Sequence, residues 1–168
     1  MVESLVNWFT TLFADLLPGE LVVFLLSMMP ILELRGGLVA AALYGIPILE
    51  AVCICFIGNL IPIPFILLLI RPIFNWLRQT SLFRPLVEKL ENKAMGKSDT
   101  IQKYQFWGLL IFVGVPLPGT GAWTGALIAS MLNISIKRAM PPIILGLGMA
   151  TTIMCFFSYF LPWLLLQM

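Results

Sequence analysis

Charged positions in this chain are confined to a few places, and long apolar runs lie between them. Residues 51–70, 104–136 and 139–168 contain no Asp, Glu, Lys, Arg or His. About 20 apolar residues cross a bilayer, so each run is long enough to span one. The first segment has a different pattern. Leu5, Trp8, Phe9, Leu12, Phe13 and Leu16 share one helical stripe, while Glu3, Asn7, Thr11 and Asp15 tend to the other side. That predicts a helix lying in the membrane interface over residues 1–19, ended by Pro18-Gly19. Residues 21–46 are apolar but broken at Pro30 and charged at Glu33 and Arg35, and 50–70 predict a span kinked at "GNLIPIP". Residues 71–105 carry seven basic and three acidic residues with apolar positions recurring, which predicts amphipathic helix outside the membrane core. Residues 106–136 hold the stretch "PLPGTGAWTG", and 139–166 predict a last span.

Composition agrees with the pattern. The 168 residues are 60% hydrophobic and 11% charged, with a mean hydropathy of +1.01. A soluble domain of this size could not hide so much apolar surface. An all-α integral membrane protein is expected. The first twenty residues carry Glu3, Asp15 and Glu20 and lack a basic start, unlike a cleavable signal peptide. Cys53, Cys55 and Cys155 lie inside apolar runs and read as small buried hydrophobes. Histidine is absent, which excludes imidazole ligands and a histidine proton relay. "GVPLPGTG" has Walker-like glycine spacing but no following Lys. Neither a metal, a cofactor nor a nucleic acid is expected.

The two halves resemble each other. With an offset of 88, Pro30 falls on Pro118, Gly37 on Gly125, Ala41 on Ala129, "GIP" (45–47) on "NIS" (133–135), and Gly58 on Gly146. Each half reads as a broken apolar segment, a short polar exit and a full span. As one helix, 104–136 would be about 50 Å long against roughly 30 Å of hydrocarbon. Folding back at "PLPGTG" gives two half-helices that enter and leave on one side; a tilted, proline-kinked span is the alternative. Charge placement favours folding back. If both broken segments are re-entrant, only 50–70 and 139–166 cross, and nine of the ten basic residues fall on one side, the tenth being Arg35. Basic residues are enriched on the cytoplasmic side, so 71–105 and 137–138 are expected there, in a multi-pass inner-membrane protein. The expected architecture is an inverted repeat of two re-entrant hairpins, each followed by a transmembrane helix: repeat 1 over 21–70, the basic linker over 71–105, repeat 2 over 106–168.

Glu33 and Arg35 are costly at membrane depth and mark a candidate site. Residues i and i+2 do not face each other on a regular helix, but at a turn they can approach. They can therefore be a structural charge pair tying the hairpin tips together, or a functional pair. Arg35 suits a phosphate or carboxylate, helped by exposed N–H groups at half-helix starts around Gly36-Gly37 and Gly119–Gly121. Glu33 in low dielectric favours its protonated form, which suits a coupling proton; it also suits a cationic substrate. Gly121 and Gly125 form a GxxxG spacing that lets backbones approach closely. Asn59, Pro118, Thr120 and Trp123 complete the candidate binding set, with Trp123 suited to stacking or to packing.

At "PILELRGG" and "PLPGTGAWTGALIA" the chain resembles the small multidrug export proteins, in length, order and both motifs over nearly its whole length. That family is grouped with the DedA (VTT) superfamily. The resemblance implies facing re-entrant hairpins and transport or flipping of lipid-linked substrates, including polyprenyl phosphates, often with proton coupling. The carboxylate of its first motif maps onto Glu33. Related DedA proteins carry an arginine shortly after the Pro-Gly of the second hairpin. Gly119-Thr120-Gly121 has none, which leaves Arg35 to anchor an anion. The leading expectation is a transporter of an amphipathic or lipid-phosphate substrate, proton-coupled through Glu33. A proton-coupled exporter of lipophilic cations is the first alternative. A non-transporting scaffold, binding anionic membrane lipid or a partner protein through 71–103, is the second. One carboxylate at membrane depth and no histidine leave little for an enzyme. Two crossings are few for a transport path, which makes a homodimer plausible.

Overall fold

The computed structural model describes residues 17–79, 84–95, 99–117 and 119–165, so the interfacial helix expected over 1–19 lies almost wholly outside the described residues. The described chain is helical and divides into two units. One comprises residues up to Ile61 together with those from Leu147, and the other is Pro62–Gly146.

In the first unit, helices α1 (Gly19–Met28), α2 (Glu33–Leu43) and α3 (Ile48–Leu60) pack against one another. Proline sets the boundaries. Pro18 and Pro47, with φ near −55°, are the N-caps of α1 and α3. Met29, which precedes Pro30, is forced out of the helical region to ψ 138°, and α1 stops there. The chain then folds back rather than continuing as a kinked helix: Gly37 of α2 lies against the Ser27 hydroxyl of α1 and the Cys55 sulfur of α3. Val22, Val23 and Leu26 of α1, Leu34, Leu38 and Ala41 of α2, and Ala51 and Cys55 of α3 form the core. The carboxy-terminal part of this unit runs through a π-helical segment, Phe156–Phe160, into a short last helix, Leu161–Leu165. The Tyr159 hydroxyl donates to the Ile46 carbonyl at 3.1 Å.

The second unit contains α4 (Pro62–Arg78), α5 (Arg84–Met95), α6 (Asp99–Gly114), α7 (Ala122–Met131) and the start of α8 (Ile136–Cys155). Helices α4, α5 and α6 each pack on α7. The region expected as one amphipathic linker is thus divided. Its first part continues α4 to Arg78, α5 is a separate helix with Val87 buried, and α6 is kinked at Gln105 (φ 31°, ψ −86°). The exposed Arg84–Glu88 pair at 3.0 Å on α5 is a solvated i,i+4 bridge of small energetic weight. Here too the chain reverses after an apolar helix, with Gly125 of α7 against Val113 and Leu109 of α6.

The ends of α2 and α7 are built alike. Helix α2 closes at Tyr44 with Gly45 at φ 67°; the Gly45 N–H donates to Ala42 and the Ile46 N–H to Ala41, at 3.1 and 3.0 Å. Helix α7 closes at Leu132 with Asn133 at φ 62°; the Asn133 N–H donates to Ser130 and the Ile134 N–H to Ala129, at 3.2 and 3.0 Å. Both are Schellman closures, and Asn is the residue that best replaces Gly in the left-handed position. Every partner in the second lies 88 residues after its counterpart in the first, and α3 and α8 then begin at Ile48 and Ile136. The preceding helices end 86 residues apart, at Met28 and Gly114. The loop in the second unit is therefore longer, and Ser27 and Val113 take the same place beneath Gly37 and Gly125.

Two stretches, Ile48–Ile70 and Ile136–Leu164, are long and apolar enough to cross a membrane, and only 28% of each hydrophobic window is buried. A core helix of a soluble protein would be mostly covered. Here Leu49, Ile57, Phe65, Leu68 and Leu145 are exposed, which suits lipid rather than water.

The close approach at α8 gives a test. A Cβ at Gly146 would meet the Leu110 carbonyl oxygen at 2.7 Å, whereas one at Gly148 meets nothing within 4 Å. Gly148→Ala should raise the thermal unfolding midpoint in detergent, since Ala in a helix gains up to about 1 kcal/mol over Gly. Gly146→Ala should lower it, because overpacking costs about 1–3 kcal/mol.

Candidate functional site

In the first unit the break between α1 and α2 carries the charges. Glu33 is the first residue of α2, has φ 51°, and is only 5% exposed. Its N–H donates to the Met29 carbonyl at 2.9 Å, which fastens the turn across Pro30. A left-handed φ at a non-glycine residue is held by its surroundings and gathers at functional places. Arg35 is half-buried two positions on, and the Glu33 carboxylate acts on it electrostatically. Both residues have further interactions within the structure.

The glycines beside them differ from expectation. Because α2 begins at Glu33, Gly36 is already within its first turn and its N–H donates to the Leu32 carbonyl at 2.8 Å. The Gly36 N–H is therefore not open to an anion. Both glycines serve close packing: a Cβ on Gly36 would collide with Leu32, and one on Gly37 with Ser27 and Cys55. Ser27, whose hydroxyl donates to the Val23 carbonyl at 2.7 Å, escaped the sequence reading because a lone serine in an apolar helix carries no pattern. Asn59, near the end of α3, is fully buried.

In the second unit Pro118 lies outside the described residues. Around it, Thr120 organises the loop: its hydroxyl is 2.9 and 2.8 Å from the carbonyl oxygens of Val115 and Leu117, and 3.3 Å from the Leu117 nitrogen. Gly119 has φ 78°, and Gly121, the N-cap of α7, has φ 131° and ψ −177°. Trp123 is half-buried in the first turn of α7, and Gly125 is buried against α6. The candidate residues thus fall into two clusters: Glu33, Arg35, Gly36, Gly37 and Asn59 in one unit, and Gly119, Thr120, Gly121, Trp123 and Gly125 in the other.

A family model described as "Putative small multi-drug export protein" matches residues 33–153, from Glu33 through both loops. The chain belongs to the small multi-drug export family. No curated protein and no solved structure matched it. Membership, with the two apolar helices, points to a membrane protein of a general transporter kind. Among the described residues no group of three His, Cys, Asp or Glu converges to hold a metal ion.

One feature of this exporter-family chain was legible only in part. A cleft of about 270 Å³ in the second unit is lined by Gln105, Leu109, Ile134, Lys137, Arg138 and Pro141 among others. The basic pair was visible as a marker of sidedness. Its meeting with the α6 kink at Gln105 was not, because no sequence period signals that kink.

The loop geometry predicts unequal tolerance. Gly121 sits where only glycine is at ease, so Gly121→Ala should cost about 1–3 kcal/mol of stability. Gly119 is in the left-handed region that Asn also adopts, so Gly119→Asn should leave the melting temperature nearly unchanged. Thermal unfolding of the two purified variants beside wild type decides it.

Proposed function

We propose that this protein moves an amphipathic substrate of the lipid-phosphate type across the bilayer, coupled to protons through Glu33. One observation carries the reading: a buried carboxylate with left-handed backbone stands at the break between two apolar helices, acting on an arginine two residues on. An ionisable pair at such a place is costly unless it is used. Helices α1, α2 and α7, of 10, 11 and 10 residues, are each about 15 Å long, half the hydrocarbon thickness. In this reading the α1–α2 and α6–α7 hairpins are re-entrant and inverted, and only Ile48–Ile70 and Ile136–Leu164 cross. Residues 71–105 with Lys137 and Arg138 then face the cytoplasm of an inner membrane. The cleft holding Lys137 and Arg138 over Leu109 and Ile134 suits an anionic headgroup on an apolar tail. The resemblance to the DedA (VTT) superfamily points to the same substrate class, and a homodimer would complete the path.

Flux in proteoliposomes under a pH jump tests this, with polyprenyl phosphate and a lipophilic cation as separate substrates. Polyprenyl phosphate should cross. Arg35→Gln should slow it about ten- to hundredfold, the weight of a charge-assisted hydrogen bond, while Glu33→Gln should leave flux that no longer follows the pH gradient. Cation flux abolished by Glu33→Gln alone would make it a cation exporter. Folded protein that moves neither would favour a scaffold binding anionic lipid.

A further inference from the structure

Asn59 is 0% exposed, and neither its Nδ2 nor its Oδ1 has a hydrogen-bond partner. A buried primary amide without partners is rare and demands a physical reason. Capping does not supply one, since Ile61, the C-cap of α3, is itself helical (φ −54°, ψ −48°) and the next helix starts at Pro62. Packing does not either, because Leu would fill the position without burying two polar atoms.

Its place in the unit gives the reason. Helices α2 and α3 are joined by the short Tyr44–Pro47 connection and pack as an antiparallel pair. Gly37 and Cys55 lie on the same rung, since a Cβ on Gly37 would meet the Cys55 sulfur at 2.8 Å. Glu33 is one turn before Gly37 on that face of α2, and Asn59 is one turn after Cys55 on that face of α3. In an antiparallel pair both steps run the same way, by about 6 Å. Glu33 and Asn59 therefore share the next rung, both buried.

An ionised carboxylate uses only the Nδ2 side of an amide, because it can accept but not donate. A protonated carboxyl uses both ends: its O–H donates to Oδ1 and its carbonyl accepts from Nδ2. Other ionisable groups near this rung are few. The final two turns of α1 carry none, and Glu20 and Glu50 stand at the far starts of α1 and α3. Cys53 and Cys55 of α3 and Cys155 at the end of α8 are the thiols of this unit, with Cys155 acting on Cys55, and Tyr159 of the π-helical segment is committed to Ile46 at the other end. The Glu33 carboxylate acts electrostatically on Arg35, two residues on.

We propose that Asn59 receives the protonated Glu33 carboxyl in a two-hydrogen-bond acid–amide pair, so that proton uptake releases Arg35 to bind the substrate's anionic group. This rests on the proton-coupled reading above and specifies it: one proton is taken up on Glu33 for each anion bound at Arg35. The carboxylate gains a proton, no other covalent bond changes, and the arginine exchanges one anionic partner for another.

The test is pH-difference infrared spectroscopy of the full-length protein in phosphatidylcholine vesicles. The protonated-carboxyl carbonyl band of Glu33 is identified by its loss in Glu33→Gln. In Asn59→Leu that band should move to the higher frequency of a less hydrogen-bonded carbonyl. Its titration midpoint should fall by about one pH unit, a tenfold loss of proton affinity, or about 1.4 kcal/mol. Asn59→Ser, which keeps one hydroxyl, should lie between and serves if the leucine variant does not fold. A Glu33 band unchanged in frequency and midpoint in these variants overturns the Asn59 pairing while leaving proton coupling in place. A wild-type protein with no titrating Glu33 band removes the coupling itself, and the pairing with it.

Discussion

Every helix that ends frees amides and carbonyls that have no partner within the helix, and a chain with many short helices must close them locally. This constraint governs both units. At the ends of α2 and α7 the freed carbonyls are taken up by Schellman bonds, with Gly45 and Asn133 in the left-handed position that makes those bonds reachable. At the loop before α7 the Thr120 hydroxyl folds inward onto Val115 and Leu117. At the break before α2 the backbone is closed by the Glu33 N–H on Met29. The chain reverses only where such local closure is possible.

Close approach is the second requirement. With lipid-like surroundings there is little hydrophobic drive between helices, so contact depends on small residues that bring backbones together. Gly37 and Gly58 let α2 and α3 settle around Ser27, and Gly125 and Gly146 do the same around Val113. The equivalence of Ser27 and Val113 shows that the same geometry accepts a hydroxyl or an isopropyl group, provided the opposing residue is glycine.

The charged rung sits where these two constraints meet. Glu33 occupies a left-handed backbone position at the proline break, and Asn59 lies one turn beyond Cys55, which the glycine contact sets against Gly37. With the helix start at Glu33, the Gly36 N–H donates to Leu32, and both glycines sit where a Cβ would meet a neighbour.

Much of the architecture was legible in residue order because its causes are local. Pro30 and Pro47 remove donors and fix dihedrals wherever they stand, uninterrupted apolar runs cannot be soluble, and Glu33 with Arg35 is conspicuous in any apolar segment. The 88-residue offset was readable from a few identities, and the two helix closures keep that spacing with Asn133 in the place of Gly45. Other features depended on distant parts of the chain. The kink at Gln105 and the continuation of α4 to Arg78 are features that no periodicity in 71–105 reports. That Ser27 and Cys55 lie against Gly37 depends on the register between helices. Sequence fixes the stripes on each helix, but only the side-by-side fit of glycine against its neighbours decides which residues of two stripes meet.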